Sequence, residues 1–287
     1  PDCEPEKRLT WLQVRFPQAT ILVLTPELVA RYNLPAIPHN DADIHRHYVA
    51  TLCLQILRCR PHAVFTAEDY GDGFANVLAR RFAQPVEHVR MARPVGDEAP
   101  SGTLIRSDVH RYRYMLANDV YYSFVRRICL LGGESTGKSA LSKALADGLD
   151  TVYVAEFGRD YWEEKNGILT ADDLLHIACE QVRREQQAEA NHYLICDTSP
   201  LTTLFYALDQ YGHAPQELHQ LAEREYSLVL CGAEFPFVQD GTRQGEVFRA
   251  RQQVWYEQEL SRRNIPYLSV SGSLQERLGQ ILHRLPD

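Results

Sequence analysis

The chain has 287 residues, of which 45% are hydrophobic and 24% charged, a composition typical of globular proteins with room for two domains. A net charge of −8 and the lack of long basic tracts argue against a nucleic-acid partner. No apolar run approaches the roughly 20 residues that span a bilayer and no segment resembles a signal peptide, so we expect a cytoplasmic protein with no membrane partner.

The first part of the chain alternates helix-like and strand-like segments. Helices are predicted for residues 6–16 and 45–59, and strands for residues 19–25, 62–66 and 85–91. Such alternation favours a layered α/β domain. His45 and His47 form a close histidine pair in the second helix, where we expect a solvated face.

The second part repeats this alternation more regularly. Strands are predicted for residues 124–131, 151–154, 193–196, 227–231 and 266–270, and helices for residues 138–149 and 171–191. Thr170 is the expected N-cap of the longer helix. Short, non-alternating strands joined by helices predict a central parallel sheet. The fold class is therefore α/β with two layered domains, and we place the boundary so that they comprise residues 1–121 and 122–287.

Seven cysteines are scattered through the sequence without a CxxC pair. Cys129, Cys196 and Cys231 each lie in a predicted strand. We therefore expect buried, reduced thiols rather than zinc ligands or disulfides.

The strongest motif is a phosphate loop that follows an apolar strand and opens a helix. It comprises Gly132, Gly133, Glu134, Ser135, Thr136, Gly137, Lys138 and Ser139. The glycines let backbone N–H groups point at a phosphate, and the helix N-terminus adds partial positive charge. Lys138 is expected to bridge the β- and γ-phosphates of ATP, and Ser139 to ligate Mg²⁺. A glycine-rich turn that matches by chance is the alternative.

Acidic residues follow two other predicted strands. Asp197 ends the strand at 193, the place of a carboxylate that holds Mg²⁺, although an Asp in a strand-end turn is the alternative. Glu156 and Asp160 follow the strand at 151, and a carboxylate there can accept a proton from a substrate hydroxyl. Arg159 and Asp160 could instead form a structural ion pair.

Arginines follow the next strand. Asp240 to Arg243 forms a predicted turn, and Arg249 and Arg251 lie on a predicted helix. A guanidinium suits the charge that develops on a transferring phosphoryl group, and a mobile lid would supply it. The alternative is that these arginines lie on a solvated helix face. Arg243, next to the turn, is the arginine to which this alternative applies least.

These motifs, in this order, resemble the ribosylnicotinamide kinase domain of the NadR family. The family pattern runs GGES-[ST]-GKS, then E-[YF]-GRDY, then a strand ending in DT, then PxVxDGxR. The sequence has these motifs at 132–139, 156–161, 193–198 and 236–243. The resemblance covers residues 123–287 and implies transfer of the γ-phosphoryl group of ATP to the 5′-hydroxyl of nicotinamide riboside, giving nicotinamide mononucleotide (NMN).

Each candidate residue then receives an expected role. Lys138, Glu156, Asp197 and Arg243 are the catalytic candidates, with Glu156 orienting or deprotonating the hydroxyl. Glu156, Arg159, Asp160 and Tyr161 are the substrate-binding candidates, Ser139 and Asp197 hold the metal, and Arg249 joins Arg243 over the nucleotide. The positively charged nicotinamide ring favours an aromatic face. The candidates for that face are Tyr161, Trp162, Phe205 and Tyr206.

The first part resembles the NMN adenylyltransferase domain of the same family, through segments at 63–79 and 101–108. The resemblance implies a second nucleotide site at Ser101, Thr103 and Arg106, although a Ser-Gly turn before a helix needs no ligand. The sequence lacks the family's GxFxPxHxGH signature. We therefore expect a partial, Rossmann-like nucleotidyltransferase domain that is inactive or truncated in this chain.

The expected ligands are ATP, Mg²⁺ and nicotinamide riboside, and the resemblance implies that the second site binds the triphosphate of ATP. Binding of NMN and homo-oligomerisation stay open. Two alternative functions also stay open. One is a P-loop kinase for another nucleoside or nucleotide, and the other is an ATP-binding regulatory module. The acceptor-side carboxylates argue against the module, because a pure sensor does not need them.

Overall fold

A computed structural model of the protein describes residues 3–35, 41–67, 69–92 and 100–285. The chain divides after Met115 into two compact units. The predicted boundary lies six residues later, because a short helix, Asn118–Tyr122, groups with the second unit. Tyr121 in that helix is buried, and its hydroxyl accepts a hydrogen bond from the backbone N–H of His192 at 3.2 Å.

The first unit contains five α-helices and two strands among the residues that the structure describes. The helices are α1 (Pro5–Arg15), α2 (Pro26–Arg31), α3 (Ala42–Leu52), α4 (Gly71–Phe82) and α5 (Gly102–Ser107), and the strands are β1 (Ala63–Thr66) and β2 (Glu87–Arg90). A π-helical turn, Cys53–Leu57, continues α3. The strands pair in parallel, and α4 joins them. This βαβ unit is compatible with the expected Rossmann-like domain, which stays a prediction.

One predicted strand of the first unit is wrong, because residues 20–25 lie in no helix or strand. Leu22 and Leu24 pack instead against a cluster formed by Leu34, Tyr48 and Leu52. This apolar run is thus partly buried against neighbouring residues without a partner strand, and such packing alone satisfies the pattern that suggested a strand.

The second unit alternates strands and helices throughout. Its strands are β3 (Arg126–Leu131), β4 (Tyr153–Val154), β5 (Tyr193–Asp197), β6 (Ser227–Cys231) and β7 (Tyr267–Val270). Its helices are α6 (Asn118–Tyr122), α7 (Lys138–Gly148), α8 (Phe157–Glu164), α9 (Ala171–Gln187), α10 (Pro200–Tyr211), α11 (Gln216–Leu221), α12 (Glu246–Arg262) and α13 (Leu274–Leu282). The α9 helix begins at a capping box between Thr170 and Asp173, as expected.

The predicted end of α9 at residue 191 is wrong by four residues. Helix α9 ends at Gln187, and the hydroxyl of Thr151 accepts a hydrogen bond from the N–H of Asn191 at 3.0 Å. The chain is thereby turned into β5, so side-chain bonding to a neighbouring segment overrides the local helical pattern.

The five strands form one parallel sheet in the order β4-β5-β3-β6-β7, which confirms the α/β fold class. Residues such as Ile128, Leu130 and Ile195 are almost fully buried within the core cluster. Apolar residues at both faces of a strand fit a sheet covered by helices on both sides. Because the strands are parallel, the segments that follow β3, β4, β5 and β6 all leave the same edge, which is where ligands bind in such sheets.

No helix within the described residues is both long and apolar enough to cross a membrane. Cys129, Cys196 and Cys231 are buried in the sheet, as the sequence predicted.

Candidate phosphoryl-transfer site

The phosphate loop, residues 132–139, connects β3 to α7 through left-handed backbone conformations. Gly132 has φ +141°, Gly137 has φ +82°, and Ser135 has φ +59°. A Cβ on Gly132 would also lie 2.8 Å from the backbone oxygen of Cys231. Glycine is therefore required at this position both by conformation and by space. The loop leads into the N-terminus of α7, where backbone N–H groups favour a phosphate.

Lys138 and Thr136 bond to the main chain of their own loop. The ammonium of Lys138 donates to the carbonyl oxygens of Gly132 at 2.9 Å and Gly133 at 3.0 Å. The hydroxyl of Thr136, which is fully buried, donates to the carbonyl of Gly133 at 2.8 Å. These bonds keep the lysine beside the loop that it is expected to assist.

A buried guanidinium supports the loop from below. Arg277 on α13 is 1% exposed and donates to the carbonyl of Thr136 at 2.8 Å. It also donates to the carbonyls of Gly232 at 3.1 Å and Gly272 at 2.9 Å, and pairs with Glu234 at 2.6 Å. Sequence reasoning missed this residue. The available signal was a charged residue one turn before Ile281, on the apolar face of the last helix.

Two glutamines of α12 hold the outer part of the loop. The side-chain oxygen of Gln253 accepts a hydrogen bond from Gly133 N at 3.1 Å, and that of Gln252 accepts one from Glu134 N at 3.0 Å. Gln252 is 2% exposed. The conformation of the loop is therefore set by side chains more than 100 positions away, which no local motif reveals.

Glu134 connects the loop to two other elements. One carboxylate oxygen accepts a hydrogen bond from the Tyr206 hydroxyl on α10 at 3.2 Å. The other accepts one from Gln244 N at 2.9 Å, in the segment between β6 and α12. The side chain of Glu134, a predicted nucleotide-binding residue, thus connects the phosphate loop to α10 and to the segment between β6 and α12.

Glu156 lies just before α8 and is half-buried. Burial raises the pKa of its carboxyl, the positive charge of Lys138 partly lowers it, and the negative charge of Asp197 raises it further. The acid, the lysine of the loop and the strand-end aspartate therefore share one electrostatic environment. A carboxyl with a raised pKa is suited to accept a proton near neutral pH.

Asp197 is the last residue of β5 and is 2% exposed. Within the residues that the structure describes, its Oδ1 is buried and has no hydrogen-bond partner. Leaving such an atom without a partner costs about 1–3 kcal/mol. An oxygen of this kind fits a metal ion or a metal-bound water. Among the described residues, no hydrogen bond joins this oxygen to Ser139, the other predicted metal ligand, which lines the cavity described below.

Asp240 organises the segment between β6 and α12. It accepts hydrogen bonds from Thr242 N and Oγ1 at 3.1 and 2.8 Å, and pairs with Arg159 at 3.0 Å and Arg243 at 3.1 Å. Burial would raise its pKa, but the Thr242 hydrogen bonds and the two guanidinium charges lower it to about 2. Asp240 therefore holds Arg159 and Arg243 together.

Many of these groups line one cavity of about 580 Å³, within the range of small-molecule sites. Asp197, Asp240 and Arg277 are not among its lining residues. The phosphate loop from Glu134 to Ser139 lines one end. Glu156, Arg159 and Arg243 also line it, together with apolar and aromatic side chains that include Trp162 and Tyr206. The cavity can therefore take a polyphosphate and a second, partly apolar molecule together.

A family model described as AAA domain matches residues 127–277, more than half of the chain. The chain belongs to this AAA domain family. The trifunctional NAD biosynthesis/regulator protein NadR of Salmonella typhimurium is 32% identical over 152 residues, which are 50% of this chain and 37% of that relative. The chain therefore spans well under half the length of the curated relative that it matches.

Two solved structures resemble the whole fold of this AAA domain protein. They are crystal structures of NadR protein in complex with NR, with a TM-score of 0.60 and 19% identity, and in complex with NAD and AMP-PNP, with a TM-score of 0.58 and 18% identity. Each covers 97% of this chain and 82% of the other chain. The resemblance to NadR inferred from the motifs is confirmed, and the two structures show likeness of fold.

Two of the residues predicted to bind the substrate, Asp160 and Tyr161, do not line the cavity. Asp160 is exposed and is not among the residues that line it. Arg159 pairs with Asp240 rather than with its chain neighbour. The hydroxyl of Tyr161 donates to Asp173 at 2.9 Å and so serves the start of α9. Asp160 and Tyr161 lie on α8, whose cavity-lining residues are instead Gly158, Arg159 and Trp162.

Arg249 and Phe205, which were predicted to face the nucleotide and the nicotinamide ring, also do not line the cavity. Arg249 is buried, donates to the carbonyl of Phe235 at 2.8 Å and does not line the cavity. A Cβ on Gly133 would lie 2.7 Å from its backbone oxygen, so Arg249 packs behind the loop. Phe205 is buried among aromatic side chains that include Phe248. Its neighbour Tyr206 faces the cavity instead.

In the first unit, Ser101 caps α5 by accepting a hydrogen bond from Leu104 N at 3.0 Å, while Thr103 and Arg106 are exposed. The second nucleotide site stays a prediction. His45 and His47 are exposed, as expected for a solvated face.

Proposed function

We propose that this protein transfers the γ-phosphoryl group of ATP to the 5′-hydroxyl of nicotinamide riboside, forming NMN and ADP. The observation that carries the proposal is the single cavity that joins the phosphate loop to Glu156 and to aromatic side chains. Donor and acceptor can therefore meet without bulk water between them. The likeness to NadR supports the choice of acceptor.

The reaction depends mainly on positioning and charge. The loop and Lys138 hold the β- and γ-phosphates. Glu156 accepts the proton of the 5′-hydroxyl as the oxygen attacks phosphorus, and the bond from the γ-phosphorus to the bridging oxygen of ADP breaks. Arg243, together with Arg159, balances the charge on the transferring group. Asp240 holds both guanidinium groups at the cavity.

Ser139 and Asp197 would hold Mg²⁺, since Asp197 offers a buried oxygen with no partner among the described residues. The ion, when bound, neutralises charge on the β- and γ-phosphate oxygens. The described residues contain no group of three His, Cys, Asp or Glu side chains that could form a complete metal site.

The cationic nicotinamide ring would lie against Trp162 or Tyr206, the two predicted aromatic residues that line the cavity. An aromatic face attracts a cation by about 0.5–2 kcal/mol. The negative charges of Glu134 and Glu156 add to this preference over a neutral base.

The decisive experiment measures ADP release with nicotinamide riboside, uridine, thymidine and cytidine at equal concentrations, with the product identified by mass. We expect turnover with the riboside to exceed that with each pyrimidine nucleoside. Equal or greater turnover with a pyrimidine nucleoside would contradict the proposal and assign a different kinase specificity. ADP release without a phosphorylated product would contradict transfer itself.

We further propose that the first unit is related to NMN adenylyltransferases but that this polypeptide does not adenylylate NMN. The sequence lacks the HxGH signature whose histidines stabilise the transition state in that family. Incubation with NMN, ATP and Mg²⁺ is expected to give no NAD. Formation of NAD above a protein-free control would contradict this second proposal and leave the kinase proposal untouched.

A further inference from the structure

Gln181 is a polar residue on the cavity wall that the mechanism above does not use. It lies on α9, is 3% exposed and lines the cavity. Its side-chain oxygen accepts a hydrogen bond from Phe157 N, the first residue of α8, at 3.0 Å. Because a backbone N–H can only donate, this bond fixes which end of the carboxamide is the oxygen.

The other end of the carboxamide is a hydrogen-bond donor in need of an acceptor. In the part of the chain that the structure describes, Nε2 of Gln181 is buried and has no partner. Buried polar groups almost always have a partner, which is protein, water or ligand. Since Gln181 borders the cavity, a molecule bound there can supply the missing acceptor.

The surroundings indicate which part of a bound molecule this is. Leu174, Ile177 and Gln181 follow each other at helical spacing along α9, and all three line the cavity. The first two are apolar, and Trp162 lies on the same cavity. Such a wall suits a flat ring that carries a single polar substituent. A ribose, with several hydroxyls, is better matched by the charged groups near Glu156.

We propose that Nε2 of Gln181 donates a hydrogen bond to a carbonyl oxygen on the base of the phosphoryl acceptor. In nicotinamide riboside this is the oxygen of the carboxamide group, and Gln181 is then a specificity-determining residue. The inference rests on the proposed function, because it assigns a subsite within the same cavity. The donor discriminates against a base without an acceptor at this position, since Gln181 would remain unpartnered.

The experiment compares nicotinamide riboside with the pyridinium riboside that lacks the carboxamide, in the wild-type protein and in Gln181→Glu. The glutamate keeps an oxygen for Phe157 N but replaces the donor with a second acceptor. Both ribosides carry the same cationic ring, so the effect of the added negative charge cancels in the ratio of their kcat/KM values. We expect the wild-type preference for the carboxamide to be about 10-fold or more and to be lost in the variant.

Gln181→Met is the neutral control for the same ratio, because it removes the donor without adding charge. We expect it to lose the carboxamide preference as well, with the KM for ATP unchanged. If both variants keep the wild-type ratio, the inference is wrong while the kinase proposal stands. If the wild-type protein phosphorylates neither riboside, the proposed function fails and takes this inference with it. Should Gln181→Glu fold poorly in thermal melting, the ratio in Gln181→Met decides.

Discussion

The two ends of the cavity are held by different kinds of contact. At the phosphate-loop end, Arg277 and Gln252 are almost fully buried and bond to the main chain of the loop. At the other end, the pair formed by Arg159 and Asp240 has side chains that are 41% and 29% exposed. Exposed ion pairs contribute only about 0–1 kcal/mol, whereas breaking a buried charged network costs about 3–5 kcal/mol. The contrast indicates a rigid donor end and an adjustable acceptor end.

This difference fits the order of events in a phosphoryl transfer. The triphosphate needs a preformed set of N–H groups, because reorganising a backbone during the reaction would add to the barrier. In the proposed reaction the acceptor end has to open for a nucleoside and close over it, and the partly exposed ion pairs of Asp240 would allow this. Glu134 links the ends, since it belongs to the loop and bonds to both Tyr206 and Gln244.

The largest expected effect comes from the donor end. Lys138→Met should lower kcat by about 10³-fold, because the ammonium that balances charge on the phosphates is lost. The measurement is steady-state ADP release with nicotinamide riboside. Lys143→Met, on the same helix but outside the cavity lining, is the matched control and should keep wild-type turnover. A small effect of Lys138→Met would mean that the loop does not bind the donor.

Removal of the acceptor-side acid comes next. Glu156→Gln should lower kcat by about 10²-fold or more while ATP binding is retained, because the base is lost but the loop is not. The wild-type rate should rise with pH as the carboxyl of Glu156 loses its proton. Because burial raises the pKa of Glu156, this acidic limb of the pH–rate profile should lie at a pH above the ordinary carboxyl range. That acidic limb should be absent in the variant. A variant with unchanged kcat would show that another group takes the proton, or that ATP binding alone is the function.

A smaller effect on turnover is expected from the support below the loop. Arg277→Met should lower stability by about 3 kcal/mol or more and raise the KM for ATP, because three loop and strand-end carbonyls lose their donor. Urea unfolding and ATP titration check this. Arg263→Met is the control, since that arginine also bonds to a backbone carbonyl but does not contact the loop. If Arg277→Met unfolds like the control, the donor end does not depend on a buried network.

The smallest effect is expected at the exposed end. Asp240→Asn should lower kcat by only a few-fold, about 2- to 10-fold, because it weakens partly exposed ion pairs to Arg159 and Arg243. The lowered pKa of Asp240, about 2, means that its stabilisation is present above the ordinary aspartate pKa and is lost only as pH falls toward 2. The acidic limb assigned to Glu156 should therefore survive in this variant. If the acidic limb of the pH–rate profile is lost in Asp240→Asn, it must be assigned to Asp240 rather than to Glu156.

The sequence by itself determined the features that follow from local patterns. The loop at 132–139 needs glycine at fixed positions, and a strand before it and a helix after it. Short, non-alternating apolar runs predicted most of the strands and the parallel sheet, and apolar residues at helical spacing predicted helices. The places of Glu156 and Asp197 followed as well, since the segments after parallel strands meet at one sheet edge.

Only the tertiary structure decided which side chains reach the cavity. Residues on one turn of α8, Arg159, Asp160 and Tyr161, belong to a single motif, yet only Arg159 lines the cavity. Gln181, Gln252 and Arg277 come from helices far along the chain, and their roles depend on packing distance rather than on sequence spacing. A local pattern specifies which face of an element is apolar, but helix packing specifies where each polar side chain on it points.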